Sequence, residues 1–538
     1  MDIIIQNGKV YDGSGNIWFK ADLGIKNGKI YRICRKLKDK AKINVDASNL
    51  IVCPGFIDPH THSDTSLLVD GKAESAVRQG VTLQVTGNCG SSPAPIKGPY
   101  KDLIETPDLI KADWESFGQY LDKLQKSGVA INVASLVGQG IIRANIMGDL
   151  KRKPLRKELK SMKELVAESM KDGAFGMSVG LNMYPSGYAD TNELVELCKV
   201  LKKYNGIYFA HMREESARFI EATLETIEIG ERSGIPVHPV HHRPLYQEFH
   251  GEAKDILRIM EDARERGVDI TCDLYPYMWA SSGLDGVLPP WVLEGGNEKI
   301  IERLTDKKTR EKAKRDMVDP KLNLNLGFIA RTGCWDKVIL LNNNVSEKYN
   351  GKTLLEIAGM MGVKPIDAVL DLMISEGKHS SGLPTIQEVG KKEMVLEIFK
   401  HPTAMVGSDG HALNSQGVLS KKLVHPRSYG CYPLILGRWV RDEKLISMEE
   451  AIRKMTSFPA QLLGLQDRGL LKEGMWADIT VFDPKTILDN ATYEKPHKYP
   501  DGINYVIVNG QVVIEKGKHT GSLPGKVLRG PGYIHKEK

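Results

Sequence analysis

An α/β fold is what this 538-residue sequence predicts: a (β/α)8 TIM-type barrel, a small β-sandwich domain formed by both chain termini, and a subdomain inserted between strands 7 and 8. Three observations predict it. Asn-Gly turns punctuate short apolar runs at both ends of the chain. Between those ends, eight short apolar strands alternate with amphipathic helices. Metal-binding residue types recur at the C-terminal ends of the strands.

The terminal elements follow from turn chemistry. Asn7-Gly8 and Asn27-Gly28 sit among the runs IIIQ, ADLGI and KIYRI, and Asn509-Gly510 divides YVIVNGQVVIEKG (505–517). Asn-Gly populates the positive φ values of a tight hairpin turn. A lone hairpin is marginal in water, so the two ends are expected to complete one domain, residues 1–54 with 471–538. The basic stretch 516–538 is expected to be a solvated tail.

The eight strands fall at 55–62, 81–88, 130–137, 174–181, 207–212, 237–242, 268–275 and 403–409, within a barrel domain of residues 55–470. Helical segments such as 157–173 and 191–206 fill the gaps, the second with Gly206 as its expected C-terminal cap. A doubly wound open sheet would carry a glycine-rich phosphate loop after its first strand, and none is present. More than a hundred residues separate strands seven and eight. Residues 281–344 therefore read as an insertion, placed after a strand and so at the end where barrel active sites lie.

Composition narrows the function. There are 74 basic and 68 acidic residues, a formal charge of +6 without a concentrated basic stripe, which argues against a nucleic-acid partner. No apolar run is long enough for a membrane span. The seven cysteines are scattered and odd in number, and the start MDIIIQNGKV lacks a basic, then apolar leader. Both point to a reduced, cytoplasmic setting. Nothing in the sequence sets the oligomeric state.

The chemistry lies at the strand ends. Asp58, His60 and His62 alternate, and period-two geometry turns them to one face. Cys89 follows strand two, His211 ends strand five, His241 or His242 ends strand six, and Asp409 ends strand eight. In a barrel these ends share one mouth.

The series GFIDPHTHSD, TGNCGSSPAP, FGMSVGLNMYPSGYADTNEL, HMRE, VHH, DLYPYM, MVGSDG, HPRSYGCYPLILGRWVR and GLLKEGMWADITVFDP resembles the N-acyl-D-amino-acid deacylases (D-aminoacylases) of the amidohydrolase superfamily. The resemblance runs from NGKVYDGSG to the C-terminal sheet. It implies Cys89, His211 and His241 as ligands of a tightly held zinc, His60 and His62 at a second, weaker metal position, and Asp409 as the catalytic aspartate. His241 is favoured over His242 because relatives read Ser-His-(His or Leu)-Lys here. This chain has Val240 and Arg243 at the outer positions, and guanidinium does not replace ammonium in geometry. Hydantoinases and dihydroorotases generally place a carboxylated lysine on strand four, where this chain has none.

The resemblance implies hydrolysis of an N-acyl-D-amino acid, a small anionic substrate, to a carboxylic acid and a free D-amino acid. Metal-activated hydroxide would attack the carbonyl, with Asp409 as general base and then acid. Candidates for the substrate carboxylate or the oxyanion are Arg243, Arg427, Tyr184, Tyr277 and Ser281. Tyr277 reads equally well as packing on the rim, and Arg213 and Glu214 as groups orienting the ligands. An acidic substrate side chain would need a further cation, for which Arg303, Arg310, Arg315 and Arg331 in the insertion are available. Two other readings of the same residues are hydrolysis of a cyclic amide and a non-catalytic scaffold.

Overall fold

The computed structural model describes residues 1–96, 109–148, 150–246, 251, 253–322, 326–342, 346–377 and 383–535. A strand lies within each of the eight expected segments: β1 (Phe56–Asp58), β2 (Val81–Thr86), β3 (Asn132–Ser135), β4 (Gly176–Gly180), β5 (Ile207–His211), β6 (Val237–Pro239), β7 (Cys272–Leu274) and β8 (Ala404–Val406). All are fully buried except His211 at the end of β5. Strands covered on both faces read as short, mostly apolar runs, which is why they are legible.

Their pairing is parallel throughout. β1 pairs with β2 and β2 with β3. The chain then steps into Val137–Gly138, which pairs with β4, and β4-β5-β6 continue in order. A parallel bridge from Val237 to Ile270 leads to β7, which pairs with β8. A second bridge, Thr61 to Gly410, sets the chain after β8 beside the chain after β1.

The intervening helices show why they form. Arg156–Asp172 opens with Glu158 accepting from the Leu155 backbone N–H at 2.7 Å and ends on left-handed Gly173. Its buried Met162, Leu165, Val166 and Met170 make one apolar stripe. Thr191–Lys202 is capped by Asp190, which accepts from the Glu193 N–H. The left-handed residue that follows is Asn205, φ 53°, not the expected Gly206; asparagine tolerates this region almost as well.

Strands from both termini join one nine-stranded sheet, with Ile51–Pro54 antiparallel to Ile479–Phe482 at the junction. Ile3, Ile5, Leu23, Ile25, Ile479, Val481 and Ile507 form its separate apolar core. The basic C-terminal stretch is not a free tail. Gly525, Leu528, Gly530 and Ile534 donate backbone N–H groups to Val129, Val133, Gly173 and Lys171. Such main-chain pairing leaves no side-chain periodicity to read.

The chain between β7 and β8 pairs with itself on both sides of residue 344. Trp279–Gly283, Pro384–Glu388 and Val338–Leu340 form a three-stranded antiparallel sheet, and the segment has its own core around Leu284, Leu304, Trp335, Ile357 and Leu370. Helices Leu354–Met361 and Pro365–Ser375 carry ordinary apolar stripes, so sequence alone assigned them to the barrel.

Candidate metal centre and active site

The residues at the ends of β1, β2, β5, β6 and β8 come together. Within three overlapping groups (His60, Cys89, His241; His60, His62, Asp409; His211, Glu215, His241) one donor atom of each residue lies within 4.8 Å of the others. Cys89 Sγ stands 3.4 Å from His60 Nε2, and His241 Nε2 stands 2.9 Å from His211 Nδ1. Asp409 Oδ1 faces His62 Nε2 at 3.0 Å and His60 Nε2 at 3.5 Å, while its Oδ2 meets Arg427 Nη1 at 2.7 Å.

The backbone is bent to present three of them. Cys89, His241 and Asp409 have φ of 51°, 35° and 51°, in the region that L-residues with side chains avoid. Such conformations cost about 1–3 kcal/mol each and persist where the surroundings impose them. Gly90 continues the turn at φ 74°, and a Cβ there would lie 2.6 Å from the Gly180 nitrogen, so glycine is required beside Cys89.

Electrostatics favour the anionic forms of Cys89 and Asp409. Burial works to raise the Cys89 thiol, but the His60 charge and hydrogen bonds with His211 and His241 outweigh it and hold Cys89 well below the usual thiol range. Burial likewise opposes ionisation of Asp409, yet Arg427, His60 and His62 hold it well below the ordinary carboxylate value. A buried thiolate with imidazoles is a donor set that suits zinc. His242, the alternative to His241, points elsewhere. Its ring packs on Phe219 at 4.9 Å, neither nitrogen has a hydrogen-bond partner among the described residues, and burial pushes it down to about 3.

A cavity of about 780 Å³ opens over the cluster. His62, Cys89, His211, His241, Asp409, Arg243, Arg427, Tyr184 and Ser281 line it. His60 lies beneath, fully buried. Tyr277 does not line it: its ring packs edge-on against His425 and Tyr493, and its carbonyl accepts from Arg243. Tyr275, which sequence reasoning quoted in DLYPYM without a role, does line it, with the guanidinium carbons of Arg243 and Arg427 at 4.5 and 4.8 Å from its ring centre. The chain between β7 and β8 adds Leu288, Pro290, Leu293, Leu322 and Leu326 to the cavity lining. Arg303, Arg310, Arg315 and Arg331 are not among the lining residues.

Neighbouring groups fall into supporting places. Asp58 accepts from Ser408 N–H and Oγ, and burial raises it to about 7. Arg213 makes two contacts of 2.9 Å with Glu225. Glu214 binds the N–H groups of Glu215, Ser216 and Arg218 and so shapes the turn after β5. The adjacent Glu215 and the β7 residue Asp273 touch the imidazoles, and sequence reasoning assigned neither. Their positions at strand ends were visible, but their direction was not.

Parallel α/β strands that end in a thiolate, imidazoles and a carboxylate under one cavity are the plan of a metal-dependent hydrolase. The sequence profile of the Amidohydrolase family matches residues 44–276 and 419–514, and the chain belongs to that family, on its N-acyl-D-amino-acid deacylase branch. It is 33% identical to a D-aminoacylase of Alcaligenes xylosoxydans xylosoxydans, over 98% of this chain and 97% of the relative. It is 31% identical to an N-acyl-D-glutamate deacylase of the same organism, over 98% and 96%. A crystal structure of the N-acyl-D-glutamate deacylase from Bordetella bronchiseptica, complexed with zinc and a phosphonate mimic of the tetrahedral intermediate, superposes with a TM-score of 0.82 at 30% identity, covering 98% of this chain and 99% of that one.

Proposed function

We propose that this protein is a zinc-dependent N-acyl-D-amino-acid deacylase, hydrolysing the linear amide to a carboxylic acid and a free D-amino acid. The convergence of Cys89, His60, His62, His211, His241 and Asp409 beneath one cavity carries the reading, together with full-length similarity to enzymes of that activity. Cys89, His211 and His241 would hold the tight zinc, with His60, His62 and Asp409 at a second, weaker position. Zinc bound there supplies a Lewis acid for the carbonyl and lowers the pKa of water. Asp409, kept ionised by Arg427, accepts the proton of the attacking water and delivers it to the leaving nitrogen, which must be protonated before the C–N bond breaks. Arg243, Arg427, Tyr184 and Ser281 offer charge and hydroxyl donors to the substrate carboxylate and the developing oxyanion.

The substrate side chain we read as neutral. Leucines face the cavity from the inserted segment, and of the cations that also line it Arg213 is paired with Glu225, while Arg218 and Lys321 share it with Glu221 and Asp285. The strand order that returns from β8 to β1 supports a closed (β/α)8 barrel; the separate core supports residues 1–54 with 471–538 as a domain, and the leucine wall supports the insertion as a roof. Seven free cysteines support a reducing, cytoplasmic setting; no described helix is long and apolar enough to cross a membrane.

Incubating the zinc-loaded protein with N-acetyl derivatives of paired D- and L-amino acids, and detecting free amine, tests the proposal. Release from D-substrates alone is expected. A folded, zinc-loaded protein that releases amine from no D-substrate would overturn it.

A further inference from the structure

We infer that Asp273 and Glu215, two buried carboxylates outside the proposed ligand set, are positioning residues that fix which ring nitrogen His60 and His241 turn toward the metal. This rests on reading those imidazoles as ligands. A neutral imidazole has one N–H donor and one lone pair, and a carboxylate only accepts. His60 Nδ1 lies 3.3 Å from Asp273 Oδ1, so Nδ1 carries the proton and Nε2 keeps the lone pair. Nε2 is the nitrogen that faces Cys89 and Asp409.

Asp273 cannot swing away. It is fully buried, its Oδ1 also accepts from the His241 backbone N–H at 2.9 Å, and its Oδ2 meets His238 Nε2 at 3.0 Å. A Cβ on neighbouring Gly407 would lie 2.7 Å from the Asp273 carboxyl carbon, so glycine there makes room for the carboxylate in this position. His238 is fixed in turn, its Nδ1 2.8 Å from Thr271 Oγ1.

Glu215 holds the His241 ring: its Oε1 is 2.7 Å from His241 Nδ1, which leaves Nε2, the nitrogen facing His211 at 2.9 Å, with the lone pair. The second oxygen, Oε2, lies 3.6 Å from His211 Nε2, which has no hydrogen-bond partner among the described residues. The carboxylates thus select the metal-binding tautomer of His60 and His241 and increase their basicity.

Zinc affinity of the full-length protein, measured by chelator competition on wild type, Asp273→Asn and Glu215→Gln, tests this without using turnover. The visible spectrum of the cobalt-substituted protein and circular dichroism are recorded on the same samples. Each folded variant is expected to bind zinc about 10–100-fold more weakly, with an altered cobalt spectrum. Wild-type affinity and spectrum in both folded variants would overturn the inference. Loss of fold in both would assign the carboxylates to folding and overturn it equally. A wild type that binds no zinc would instead refute the ligand reading beneath it.

Discussion

The guanidinium of Arg427 stands 2.7 Å from Asp409 Oδ2, and the other Asp409 oxygen faces His62 at 3.0 Å. A cation so close is the main force that keeps this buried carboxyl ionised against the cost of its burial. Replacing Arg427 by Gln therefore raises the Asp409 pKa, by about 1–3 units. The acid limb of the kcat/KM profile moves to higher pH by the same amount. An unmoved limb would mean that Arg427 does not set the protonation of the general base.

His242 gives a stability prediction with a definite sign. Its folded value of about 3 lies below the ordinary 6.5, so between those values the unfolded chain binds a proton that the native state does not. Stability is full above pH 6.5 and falls as pH drops through that window. The variant His242→Leu lacks this term: its denaturation midpoint declines less than that of wild type between pH 7 and pH 4.5. It also keeps zinc and turnover. Loss of zinc would make His242, not His241, the ligand.

Among the described residues, Cys89 supplies the only thiolate in the cluster. Protein stripped with a chelator is expected to lose activity and regain it with one equivalent of zinc. Cys89→Ala, treated in the same way, stays inactive at one equivalent because its remaining donors bind too weakly. Full recovery of that variant would remove the thiolate from the account.

The leucine wall makes a prediction about selectivity. kcat/KM for N-acetyl-D-leucine should exceed that for N-acetyl-D-glutamate by about tenfold or more, since an apolar wall leaves a carboxylate without partners. Leu322→Arg, which adds a cation to that wall, narrows the gap. A wild-type preference for the acidic substrate would assign side-chain recognition to Arg218 or Lys321.

Much of this was legible before any coordinates, for an identifiable reason. Strands buried on both faces leave short, mostly apolar runs, and strand-end residues such as His60, His211 and Asp409 stand out against them. What sequence could not supply was direction. Tyr277 and Tyr275 sit two residues apart in one motif, yet only Tyr275 turns into the cavity. Glu214 and Glu215 are adjacent, and the first binds its own turn while the second reaches two imidazoles. That helices Leu354–Met361 and Pro365–Ser375 pack with Leu284 and Leu304 was hidden because they carry the same kind of apolar stripe as Arg156–Asp172.

In the proposed reaction Asp409 performs both proton transfers. Zinc per chain and kcat on an N-acetyl-D-amino acid, measured on one preparation each of wild type and Asp409→Asn, test it most directly. The variant is expected to keep its tight zinc and to lose kcat by about 10²–10⁴. A variant that keeps both zinc and turnover would contradict it.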